Sequence, residues 1–80
     1  MTKASVTFRQ VVETMLTAAF DSAASAHGLY AGLLQYRGFD GRYHRALFAD
    51  ECTVYEAVFS ADLKLESIWD GDTPVWYEPF

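Results

Sequence analysis

Two histidines, one cysteine and a scatter of carboxylates are the side chains that could carry chemistry in this chain. His27 and His44 fall in no His-x3-His or His-Glu-x2-His spacing, and Cys52 has no second cysteine to join it. Neighbours in sequence therefore assemble no metal set. His27, beside Gly28, suits a helix C-terminus, where a partly charged imidazole complements the helix dipole. His44 is expected on the helix-facing side of a sheet, next to Gln35, as a satisfied residue at the edge of a core. Cys52 reads as a small buried or half-buried strand residue. A Cys52–His44 dyad would need two distant points of a strand pair to meet.

The segment Asp70-Gly71-Asp72 has the opening of a calcium loop but lacks the downstream ligands and terminal glutamate. Gly38-Phe39-Asp40-Gly41 is a turn whose glycines serve backbone conformation, not a phosphate cradle. Glu56 and Glu66 could exchange protons as a carboxylate pair, yet so small a sheet offers little concavity to exclude water. No catalytic residue, metal or cofactor is expected, and the chain does not read as an enzyme.

The elements that position these residues follow from hydrophobic spacing. Phe8, Val11, Val12, Met15, Leu16, Ala19, Phe20 and Ala23 recur at helical intervals, with Arg9, Gln10, Glu13, Thr14, Thr17 and Asp21 opposite. This predicts an amphipathic helix over about 7–26, opened by a Thr7/Gln10 capping box and closed at Gly28. Past Gly28 the pattern shortens. Leu29–Arg37 and Arg42–Ala49 read as a hairpin around Gly38–Gly41, although Leu29, Leu33 and Tyr36 also suit a short second helix. Val54–Phe59 and Leu63–Trp69 are further strands, separated by turns at Asp50–Glu51 and Ser60–Asp62. After the loop Asp70–Pro74, Val75–Tyr77 is a short edge strand ended by Pro79. The expected fold is α+β in one domain spanning 1–80: a long N-terminal helix on an antiparallel meander of four to five strands over about 29–78.

Alternation then sorts the strands into two faces. Ala31, Leu33, Ala46, Phe48, Tyr55, Ala57, Phe59, Leu63, Leu65 and Trp69 should meet the helix. The other face collects Leu34, Tyr36, Tyr43, Arg45, Leu47, Val54, Glu56, Val58, Lys64, Glu66 and Ile68, with nothing but the tail from Trp76 to Phe80 to cover it. On this register Arg45 lies opposite Glu56, and Glu56 opposite Glu66, leaving carboxylates for a partner's base to neutralise. So apolar a face is suited to protein contact.

Charge and length set the remaining bounds. The chain has 80 residues, 51% of them apolar, and a net charge of −5. A chain this short hides only roughly 60% of its extended surface on folding, so a partner surface or a second copy would help it. Residues 1–45 carry five bases and three acids, whereas 46–80 carry eight acids and Lys64 alone. That imbalance disfavours direct nucleic-acid binding and favours a basic protein partner. No apolar run approaches the length of a membrane span. The absence of a secretory signal and the lone cysteine fit a reducing cytoplasm. The expected function is a small acidic protein-binding module, an inhibitor or adaptor. In its sharpest form it is a phage or mobile-element inhibitor that sets carboxylates where a host defence complex binds phosphates. Tyr36, Tyr43, Arg45, Glu51, Glu56, Asp62, Glu66, Asp70, Asp72 and Trp76 are the expected contact residues. The alternatives are a homodimer joined through the uncovered sheet face, and a ligand-binding or enzymatic cleft near His44, Gln35 and Trp69.

Overall fold

The computed structural model describes residues 7–77, and within them one helix lies on a five-stranded antiparallel sheet that does not close. The helix α1 (Phe8–Ala24) opens with the expected reciprocal cap. Thr7 Oγ1 accepts from the Gln10 amide at 3.1 Å, and Gln10 Oε1 accepts from the Thr7 amide at 2.8 Å. A 3-10 turn (Ser25–His27) closes it, ended by Gly28 at φ 73, a left-handed conformation that costs glycine little.

The strands β1 (Gly32–Phe39), β2 (Tyr43–Ala49), β3 (Val54–Ser60), β4 (Leu65–Asp70) and β5 (Thr73–Tyr77) follow one another as a meander in the order β1-β2-β3-β4-β5. The helical alternative for residues 29–36 is not adopted. Two of the turns use the same device. Asp40 Oδ1 accepts from the amides of Arg42 and Tyr43, and Asp50 Oδ1 from those of Cys52 and Thr53, all within 2.7–2.9 Å. Such side-chain caps replace backbone bonds lost at the turn. Pro74 sits in the edge strand β5, where a missing N–H can face outward. Pro79, expected to end that strand, lies outside the described residues.

The core fills the gap between α1 and the sheet. Val12, Leu16, Phe20 and Ala24 descend from the helix onto Ala46, Phe48, Ala57, Phe59, Leu65 and Ile68. The Phe20 and Phe48 rings stack at 3.9 Å, 5° from parallel, at its centre. Only part of the helix's apolar sector is buried, however. Phe8 (83% exposed), Val11 and Met15 were expected in the core and stay on the surface. They project to one side of the Val12–Leu16–Phe20 line, and a flat sheet can cover only a limited arc of a cylinder.

Register is where sequence alternation misleads. β1 bulges twice, between Leu33 and Gln35 and between Tyr36 and Gly38, so Tyr36 pairs with Ala46 and turns toward the helix. The β3–β4 turn is longer than Ser60–Asp62: Leu63 adopts φ 67 and β4 begins only at Leu65. A bulge at Glu66 follows. Leu65 still faces the core as expected, and it is the bulge that displaces the alternation after it. Ile68 consequently faces the core opposite Ala57, and Trp69 faces outward opposite Glu56. Lys64 belongs to the turn, not to a strand face.

Candidate protein-contact surface

The sheet face turned away from α1 carries Gln35 from β1, Tyr43, Arg45 and Leu47 from β2, Val54, Glu56 and Val58 from β3, and Ser67 and Trp69 from β4. No described element lies over it. Even so, its centre is tightly packed: Val58 is only 8% exposed, between its partners Arg45 and Ser67. The Trp69 indole N–H donates to Ser67 Oγ at 2.9 Å, which fixes the ring on this face. Around Val58 runs a shallow depression of about 440 Å³, walled by Tyr43 and Trp69 and ringed by Arg45, Glu56, Glu66 and Asp72. Five of the expected contact residues (Tyr43, Arg45, Glu56, Glu66 and Asp72) therefore meet in one place.

Their pairing differs from expectation. Arg45 stands opposite Val58, and Glu56 opposite Leu47 and Trp69, so neither the Arg45/Glu56 nor the Glu56/Glu66 cross-strand pair forms. Arg45 Nε instead lies 3.5 Å from Asp40 Oδ2, and its guanidinium stands 6.0 Å from the Tyr43 ring. Asp40 is held below its ordinary carboxyl value first by the Tyr43 and Arg42 amides, then by Arg45. Asp62, bonded by the Ser60 hydroxyl, is likewise lowered.

The other expected residues divide between the ends of the sheet and its opposite face. The turns at 50–53 and 71–72 occupy one end and hold Asp50 and Glu51 together with Gly71 and Asp72, with Asp70 just before. The turns at 40–42 and 61–64 occupy the other end and hold Arg42 and Lys64, with Asp40 and Asp62. Trp76 registers with Ile68 on the helix side, packed against the core. Tyr36 also lies on the helix side. Its hydroxyl is 2.7 Å from His44 Nδ1, and burial pushes the phenol up despite the nearby Arg9 guanidinium. His44 is buried as expected, but its cross-strand neighbour is Phe39, at 4.5 Å between rings, not Gln35.

Trp69 is the contact residue that sequence alternation placed on the wrong face. The bulge at Glu66 that moved it carries no local mark in the sequence. Cys52 also departs from expectation, since it is exposed in a turn, not seated in a strand. The cleft expected near His44, Gln35 and Trp69 does not form: His44 faces the helix, while Gln35 and Trp69 face away from it. A second, more open groove of about 630 Å³ runs between α1 and Leu33 of β1. Two of its hydroxyls, Thr14 and Thr17, already donate to the carbonyls of Gln10 and Glu13. Its other polar walls are Gln10, which caps α1, Glu13, which pairs with Arg9, and Asp21.

Among the described residues no group of three or more His, Cys, Asp or Glu side chains could hold a metal, and no helix is long and apolar enough to cross a membrane. Comparison with protein-family models, with characterised proteins and with solved structures gave no match.

Proposed function

We propose that this chain is a small acidic protein-binding module that works by surface contact, with the outer sheet face as its contact surface. The observation that carries this reading is the face itself. Tyr43, Leu47, Val54 and Trp69, around the packed Val58, form an apolar field without a covering element, ringed by Arg45, Glu56, Glu66 and Asp72. An uncovered antiparallel face is ordinarily polar, so an apolar one is best explained by a surface that docks on it. Aromatic side chains supply contact area at low entropic cost, and the ring of charges sets orientation.

The excess of carboxylates at the Cys52 end directs the module toward a basic surface. An inhibitor or adaptor role fits that chemistry. Its narrow form, carboxylates occupying a phosphate site on a nucleic-acid-handling defence complex, is supported by the run Asp50, Glu51, Asp70 and Asp72 at one end of the sheet.

Co-purification from its native lysate tests the reading, with the untagged chain counted among the captured proteins. Tagged wild type should retain a protein at low salt and release it at high salt. Leu47→Glu, on the outer face, should lose it, and Asp21→Lys, on the exposed side of α1, should keep it. Retention indifferent to Leu47→Glu would contradict the reading.

A further inference from the structure

The structure points to a particular occupant of the outer face, and we infer that it is a second copy of this chain, its sheet stacked on the first with strands antiparallel. This rests on the reading of that face as a protein-contact surface, and it goes further by naming the partner and its orientation.

Charge is segregated along the strands. At the Cys52 end, Asp50, Glu51, Asp70 and Asp72 stand in and beside two neighbouring turns with no described Lys or Arg among them. The described bases gather toward the Arg42 end. Arg42 and Lys64 occupy its turns, and Arg45 and Arg37 lie on the adjoining strands. Arg9 also lies at this end but on the helix side, donating to the Tyr36 carbonyl at 2.7 Å, and takes no part in the outer face. The same end also holds Asp40, engaged by Arg45 at 3.5 Å, Asp62, beside Lys64, and Glu66, so its four bases (Arg37, Arg42, Arg45 and Lys64) exceed its acids by one. The basic surface sought by the acidic end is thus present on the same molecule, one strand length away, where the acids cannot reach it.

Two copies can stack outer face to outer face about a twofold axis in two simple ways. With the axis along the strands, like ends coincide and four carboxylates of each copy face four of the other, which is repulsive. With the axis across the strands, each Cys52 end lies over the partner copy's Arg42 end, and both contacts are attractive. The apolar fields of Leu47 and Trp69 meet in either case, so the charges select the antiparallel arrangement. Symmetry makes the contact twice over, as a twofold dimer requires.

Size is sufficient. Five strands about 4.8 Å apart and roughly 20 Å long present on the order of 500 Å² per copy in projection. Two such faces reach the roughly 1,000 Å² that a specific interface needs. Aligned sheets pack about 10 Å apart, close enough for the turn side chains of facing ends to pair.

Sedimentation equilibrium on the full chain, with charge exchange, tests this. Wild type should show a mass twice 9.0 kDa at low salt, and raising the salt should weaken the dimer at least tenfold. Glu51→Lys with Asp72→Lys should weaken it by a similar factor. Adding Arg42→Glu with Lys64→Glu to the same chain should restore it, because each reversed end then meets a reversed end. Circular dichroism confirms that these exposed turn variants remain folded. A monomeric wild type would overturn the second copy as occupant. In that event, titration with an oligolysine peptide separates the two ideas. Binding abolished by Leu47→Glu leaves the face a contact surface for some other basic protein, and no binding removes that reading as well. A dimer untouched by charge reversal would overturn the antiparallel orientation.

Discussion

Asp40 shows how one side chain serves turn, sheet and charge together. Its Oδ1 accepts from the Arg42 and Tyr43 amides and its Oδ2 faces Arg45, so the ionised form is favoured in the folded chain. A carboxyl lowered on folding contributes stability that is complete above its ordinary value of 3.8 and is lost as the pH falls through its folded value. Asn at this position keeps the oxygen that caps the turn and loses the titration. Urea midpoints measured below pH 3.8 should therefore fall less steeply for Asp40→Asn than for wild type. Equal slopes would show that Asp40 does not couple folding to protons. At this scale much was legible beforehand. The Thr7/Gln10 cap, the Gly28 stop and the buried His44 all follow from local chemistry. Tyr36 was not legible, because nothing in its own neighbourhood announces the two bulges that turn it toward His44.

Among the elements, α1 is the part most fully written in the sequence. Its cap, its buried line and its stop agree, and only the width of the covered sector was overestimated. The lesson of Phe8, Val11 and Met15 is geometric: apolar spacing defines a sector, but the opposing sheet decides how much of it is covered. Thr7→Ala should destabilise the fold by about 1 kcal/mol, since it frees the Gln10 amide and breaks the reciprocal cap. Thermal denaturation reads this, and an unchanged midpoint would mean that the cap adds nothing once the helix is docked. The strands were legible as an antiparallel meander of four to five, but their order and register were not. A period of two carries no memory across a bulge, so the one extra residue at Glu66 exchanges the faces of Ile68 and Trp69. That exchange brings an indole to the outer face and an isoleucine into the core. Both faces end up better suited to their surroundings than the simple alternation allowed.

On the scale of the whole molecule, one helix is too little to cover two sides of a five-stranded sheet. The sequence showed both the surplus apolar face and the acidic second half. Segregation of charge between the two ends of the sheet follows from the placement of the turns, because residues distant in the chain, such as Glu51 and Asp72, come to the same end. Cys52 lies at that end, exposed and the only cysteine in the chain, so it reports the relation between two copies without any added mutation. The decisive measurement is the distance between spin labels on Cys52 in the wild-type chain at low salt. Antiparallel stacking predicts a separation of roughly 25 Å, about the length of a strand with its turn. Labels near the roughly 10 Å spacing of stacked sheets, or no coupling between labels at all, would contradict it.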